Sequence, residues 1–444
     1  MKEGLGMKSG IFASVSSAIG FVLNAHKRYQ ALSLEDRCEI IDAIRSSLLE
    51  NLDVITMLAL KETCMGNYED KKVKIEAAIK NTPGIEDLIT EVNTGDRGMT
   101  LYELSGFGVV CCVESTTNTA TAVINHVIGL ISAGNAVVVC TNPIAYATTT
   151  YICNLISKAI VNSCGIDNLV VSLDENSICK TEEVMQHPDV DMIVCGAESD
   201  VLRSALSCGK KVIAEGSSDS VVLVDETADI KQAAFDISRS ASFDNGLIHV
   251  SEKTCVYVKS IKDSLFSEFV KNKSYVVQSK QEILKLEQAL LTDQRDLKKR
   301  WIGKSACEIL KSIDVVASND VKLIVVPVEF NHPFVLEEMR IPLLPCVEVD
   351  CYKCGLEMMI ELEQRYRHTA AIHSNDINRL SEAAKVLRTA VFVKNGPALN
   401  GVGLFMPNSP FTLTIANFSG EGALSARHFT RRRKCILTNG FSIR

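Results

Sequence analysis

No apolar run in the 444-residue chain reaches the length of a membrane span, and no secretory signal opens it, so a soluble protein is expected. No G-x-G-x-x-G and no Walker-type loop occurs, so no dinucleotide or phosphate site is signalled by motif. No internal repeat or low-complexity tract is found, which argues against a solenoid. Neither sign of charge dominates. With 47 basic and 54 acidic side chains the net charge is −7, which gives no electrostatic reason to expect nucleic acid or an anionic membrane as partner.

What is present is apolar content of 46%, enough in a chain of this length for two or three domains with full cores. The sixteen cysteines are scattered and sit largely in apolar runs such as Val110-Cys-Cys-Val113 and Val139-Cys140. They read as buried reduced thiols in a reducing cytosol, hence a cytoplasmic protein. Cys351-Tyr-Lys-Cys354 has metal-knuckle spacing, but no second Cys or His pair completes a tetrahedral set. His368 and His373 lack the i, i+4 spacing of a helical zinc pair, and no metal is expected. Arg431-Arg-Arg-Lys434 reads as a solvated or interface-facing basic turn.

Along the chain, residues 11 to 92 carry helical periodicity, with Ser33-Leu-Glu-Asp36 as a capping box. Lys61 to Lys71 reads as a solvated helix with a break at Gly66. Met99–Glu103 and Phe107–Val113, separated by Ser105-Gly106, suggest a hairpin or extended arm. Short apolar strands then alternate with helices: Val109–Val113, Ala136–Cys140, Leu169–Leu173, Met192–Cys195, Val212–Ala214 and Val221–Val224. That alternation predicts a parallel, doubly wound α/β sheet with ligands beyond the carboxyl ends of its strands. A second alternating unit follows from 249 to about 415, with strands at Cys255–Val258, Leu323–Val326, Pro345–Val349, Ala370–His373 and Ala390–Val393.

The chain is organised around Arg239 to Val258, which reads as a helix end, a tight turn at Asp244-Asn245-Gly246 and a buried strand. Ser242-Phe-Asp-Asn245 and Glu252-Lys253, with much of what flanks them, resemble the CoA-acylating aldehyde dehydrogenases of the ethanolamine- and propanediol-utilisation type. Ser419-Gly-Glu-Gly422, Ser425-Ala-Arg427 and Leu437 to Arg444 extend the likeness over almost the whole chain. The resemblance implies an aldehyde dehydrogenase-like fold of two doubly wound α/β domains plus an oligomerisation arm. It implies a dinucleotide-binding domain over 1–240 with an interface hairpin at about 97–113, a catalytic domain over 241–411, and a segment 412–444 returning to the cofactor domain. Many relatives carry an amphipathic leader that directs them into a protein-shelled microcompartment. Only Met1 to Lys8 precede the likeness here, so that route of encapsulation is not expected.

In this family a thiolate adds to the aldehyde, hydride passes to NAD, and the thioester is transferred to CoA. His249 stands where the resemblance puts the cysteine. Asn118 matches the asparagine that donates to the oxyanion, and is equally a helix N-cap in the making. Glu338 matches the glutamate that contacts the nicotinamide ribose; with Glu337 it is otherwise plain surface charge. Gly196 and Gly216 fall in loops where backbone approaches cofactor, or are ordinary turn glycines. Asn142 precedes Pro143 where a histidine is usual, and the loop positions Thr119, Ala197 and Asp219 also depart from the family pattern. Ala214 occupies the position of the water-activating glutamate of hydrolytic relatives, which fits a thiol acceptor. Cys255, six residues past His249, reads as core.

The expectation is an oxidoreductase interconverting a short-chain aldehyde and acyl-CoA with NAD(H), impaired by the missing thiol. Its alternative is a catalytically silent homologue that binds nucleotide or assembles with an active paralogue. A homo-oligomer, dimer or tetramer, is implied, with microcompartment association as a further possibility.

Overall fold

The computed structural model describes residues 10–115, 117–174, 177–196, 199–363, 366–406 and 409–441. Met1 to Lys8, Ala197 and the final Ser442 to Arg444 lie outside the described residues.

Two parallel sheets form the body. The first has six strands in the order Ile11–Phe12, Val170–Leu173, Ala136–Cys140, Val109–Val113, Met192–Cys195 and Lys211–Ala214. The second has seven, in the order Ser274–Val276, Leu323–Pro327, Leu343–Val349, Thr254–Val258, Val221–Val224, Thr369–His373 and Val391–Lys394. Central strands such as Val109–Val113, Ala136–Cys140 and Val221–Val224 are unbroken, fully buried apolar runs because helices cover both faces. One apolar cluster continues from Val110 and Cys112 through Ile237 and Val250 into Cys255 and Tyr257, so the two sheets share a core.

The helical N-terminal portion forms as its periodicity predicts, with the Ser33–Asp36 capping box in place, but its last helix ends at Asn81. Glu91–Gly95 is instead a strand, antiparallel to Gly98–Gly106. Gly98–Gly106 also pairs along its length with Thr430–Thr438, giving a three-stranded arm.

Three expectations are corrected. Met99–Glu103 and Phe107–Val113 are not the two halves of a hairpin. The Asn135 side chain accepts from the N–H groups of Phe107 and Gly108 and turns the chain out of the arm into the first sheet. Val221–Val224 does not close the first sheet but pairs with Thr254–Val258 and Thr369–His373 in the second. Four apolar β-formers read alike in either sheet, and only the crossing at 215–220 decides membership. Arg431 to Lys434 lie on an arm strand rather than a turn.

Candidate active site

The helix Ile230–Ala241 runs into three successive left-handed residues, Asp244 (φ 47°), Asn245 (φ 56°) and Gly246 (φ 72°). Such a run is costly and persists only when its surroundings impose it. Here they do. Asn67 N–H donates to Asp244 Oδ1 at 2.9 Å, and Asp244 N–H donates to Asp70 Oδ2 at 2.9 Å. Lys71 Nζ reaches Asp244 Oδ2 at 3.1 Å, and Lys74 Nζ pairs with the same oxygen. Asn245 Nδ2 donates to the Gly303 carbonyl at 2.9 Å, and Lys253 Nζ donates to the Gly246 carbonyl at 2.6 Å.

The Lys61 to Lys71 segment is therefore not simply a solvated helix. Lys71 and, beyond it, Lys74 are buried, and Asp244 is their counter-charge. Burial pulls the Lys74 ammonium down to about 8 against the opposing pull of Asp244.

Lys74 also donates to Asn118 Oδ1. An ammonium has no acceptor, so this contact fixes which way the amide faces. Asn118 Nδ2 then points at the loop that follows the turn and donates to the Leu247 carbonyl at 3.3 Å. Asn118 occupies the N-cap position of helix Thr119–Ser132, yet its side chain makes no capping hydrogen bond. Its amide serves the loop.

Two residues beyond Leu247, the His249 carbonyl accepts from the Ser218 and Ser220 hydroxyls, each at 2.8 Å. The His249 imidazole turns to Glu338, with Nδ1 and Oε1 2.6 Å apart. Their side chains are 19% and 15% exposed, so the pair is shielded but reachable. Burial alone would lower the imidazole. The charge and hydrogen bond of Glu338, with Glu215 behind, reverse this and hold its pKa above the ordinary value. For Glu338, burial pushes upward, but His249 and then Lys253 and Arg340 bring it down to about 2. The two are an ion pair. Glu337, the neighbour that sequence could not separate from Glu338, caps the short helix Pro333–Leu336.

The remaining positions fall along the carboxyl edge of the first sheet. Asn142 follows Ala136–Cys140 and accepts from Ile144 N–H, Gly196 follows Met192–Cys195, and Gly216 lies just past Lys211–Ala214. The strand order reverses between the parallel neighbours Val109–Val113 and Met192–Cys195, so the segments leading to Asn118 and Gly196 flank the switch point where open α/β sheets bind ligands. The structure thus brings Asn118, His249 and Glu338 to one centre and sets Asn142, Gly196 and Gly216 along the edge beside it. Cys255 is fully buried opposite Cys346 in the second sheet, as core.

Sequence reasoning missed Lys74, the charge role of Asp244, and the part that the motif residue Lys253 plays in holding the turn, its buried ammonium lowered to about 8. A lysine three residues beyond Lys71 on the same helix was the available signal. It also missed a buried knot of Cys112, Glu114 and His126, whose donor atoms lie within 4.8 Å of one another. His126 Nδ1 meets Glu114 Oε1 at 3.0 Å, and its Nε2 meets the Thr414 hydroxyl at 2.7 Å. Those bonds account for the cluster as a structural tie between the first sheet and the C-terminal segment.

The sequence pattern of the aldehyde dehydrogenase family matches residues 8–407. The chain belongs to that family. This aldehyde dehydrogenase is 38% identical over 437 residues to a CoA-propanoylating propanal dehydrogenase of Citrobacter freundii, covering 98% of this chain and 94% of the relative. Its fold superposes with a TM-score of 0.95 on a Rhodopseudomonas palustris propionaldehyde dehydrogenase with bound CoA and an acylated cysteine, at 37% identity, covering 98% of this chain and 99% of the other. An engineered glycolyl-CoA reductase with bound NADP+ gives a TM-score of 0.96 at 36% identity over the same shares. The aldehyde dehydrogenase fold and the two-sheet architecture expected from sequence are those of these proteins.

Proposed function

We propose that this aldehyde dehydrogenase is of the CoA-acylating kind, built to interconvert a short-chain aldehyde and its acyl-CoA with NAD(H), and that its covalent step is impaired because His249 stands where the family's nucleophilic cysteine belongs. The observation that carries the reading is the 2.6 Å contact of His249 Nδ1 with Glu338 Oε1. A thiolate adds to an aldehyde and later leaves from the thioester. An imidazolium held by a carboxylate offers no free lone pair for the first step and no comparable acyl carrier for the second. The substrate class rests on the relatives, which act on propanal or hold CoA.

The edge of the first sheet fits a dinucleotide. A Cβ added at Gly196 would meet nothing nearer than 3.7 Å, and one at Gly216 nothing nearer than 3.5 Å. The protein's own packing does not require glycine there, so the bare backbone suits close approach of a bound molecule. Asn142 lies on the same edge, and Glu338 would accept from ribose hydroxyls with the oxygen His249 leaves over. When bound, NAD supplies the hydride acceptor and CoA the thiol that takes the acyl group. Asn118, fixed by Lys74, would donate to the oxygen of an aldehyde held beside Leu247.

The second reading, a silent homologue that binds nucleotide and assembles with other copies or a paralogue, draws on the arm, which exposes Val92, Ile436 and Leu437.

The test is reduction of propionyl-CoA by the full chain with NADH. We expect turnover near background, rising at least about a hundredfold in His249→Cys. Robust wild-type turnover that His249→Ala abolishes would overturn the impairment. A silent His249→Cys that still binds NAD by calorimetry would leave the second reading standing alone.

A further inference from the structure

Of the thiol pairs that touch, Cys111 and Cys140 lie 3.8 Å apart inside the first sheet, and Cys255 and Cys346 face each other inside the second. All four are buried. Cys351 and Cys354 differ in kind. Both are exposed, and their sulfurs lie 3.3 Å apart. By sequence spacing alone they are half of a metal knuckle with no second pair to complete it. The structure places them at the start of helix Tyr352–Glu363, with Cys351 immediately before the first helical residue and Cys354 within the first turn.

That turn is held from below. The Tyr352 hydroxyl donates to the Arg379 carbonyl at 2.9 Å, and the Arg379 guanidinium lies over its ring, 4.8 Å from the centroid. Gly355 sits so tightly on the sheet that an added Cβ would come within 2.6 Å of Leu223 Cδ1. The two inward residues anchor the turn and leave both sulfurs facing water. The unpaired N–H groups of a helix start favour a thiolate at Cys351. The hydrogen bonds it takes from the Cys354 and Lys353 N–H groups and the Cys354 thiol lower its pKa, while the Cys354 thiol is raised by the neighbouring sulfur.

We propose that Cys351 and Cys354 form a reversible dithiol–disulfide site that reacts with small-molecule disulfides. The Cys351 thiolate attacks one sulfur of the small disulfide, forming a mixed disulfide and releasing one thiolate. Cys354 gives its proton to a departing thiolate and attacks the Cys351 sulfur, closing the protein disulfide and releasing the second small thiol. Two electrons pass from the protein dithiol to the small disulfide, and a small-molecule dithiol reverses the exchange.

The site is separate from the His249 centre. His249 precedes the amino end of Thr254–Val258, whereas Cys351 follows the carboxyl end of the parallel neighbour Leu343–Val349, with Val258 opposite Val349. The five-residue strand between them spans roughly 17 Å. The inference therefore stands or falls apart from the reading of His249.

The full chain, kept in EDTA, is equilibrated with oxidised glutathione, alkylated and digested with trypsin. We expect the peptides 341–353 and 354–365 to be recovered joined by a disulfide that dithiothreitol opens. Cys354→Ser should trap one glutathione on Cys351. Cys351 should be alkylated about tenfold faster than exposed Cys38 in the same sample. The proposal is overturned if the two peptides stay unlinked, or if glutathione accumulates equally on Cys351, Cys354 and Cys38.

Discussion

Glu338 keeps a proton on His249 to higher pH than a free imidazole would hold it, and the sign of the resulting pH dependence follows. A raised imidazole contributes stability that is complete below its ordinary 6.5 and is lost as pH rises through its folded value. A lowered carboxyl contributes stability present above its ordinary 4.5 and lost as pH falls through about 2. Both contributions are full between those two ordinary values. NMR titration of the ring should give His249 a midpoint above 6.5, and Glu338→Gln should drop it below 6.5, because burial remains when the charge is gone. A midpoint that does not move would remove Glu338 as the partner. Asp244 offers a second test. Asp244→Ala leaves two buried ammonium groups without their counter-charge and should cost about 3–5 kcal/mol in urea unfolding. A loss below about 1 kcal/mol would mean that water reaches Lys71 and Lys74.

At the level of single elements, the turn at Asp244 to Gly246 was legible because Asn and Gly tolerate positive φ, and the structure has both there. Gly246 is also hemmed in: a Cβ would lie 2.4 Å from the Ile341 carbonyl oxygen. Gly246→Ala should therefore destabilise by at least about 1–3 kcal/mol, read as a lowered melting temperature. Strands were equally legible where apolar β-formers run unbroken, as in Ala136–Cys140 and Thr254–Val258. What periodicity could not reveal was pairing. Val221–Val224 changed sheets, and Phe107–Val113 left the arm, because sheet membership is settled by contacts remote in sequence. The same limit hid Lys74. A lysine on a helix looks solvated until the turn carrying Asp244, more than a hundred residues later, folds against it. Asn118, His249 and Glu338 were found through family resemblance, but their joining through Lys74 and the loop carbonyls needed coordinates.

On the scale of the whole molecule, the arm carries exposed apolar side chains at Val92, Ile436 and Leu437 on strands that do not belong to either main sheet. Such strands, long and with open edges, are ready to pair or pack with another copy. We expect sedimentation to give a species larger than the 48.5 kDa chain, and Ile436→Lys with Leu437→Lys to shift it toward monomer without changing the circular dichroism. A monomeric wild type would refute an assembling arm.

The first sheet is tied shut by residues that come almost last. Thr414 holds His126, the Phe429 carbonyl accepts from Asn135, and Arg427 grips Asp87. During synthesis, most of that sheet emerges from the ribosome hundreds of residues before these fasteners do. The nascent first sheet must wait with His126 Nε2 and one donor of the Asn135 amide lacking their late partners, so truncation before Thr414 is expected to weaken a sheet that is otherwise already made.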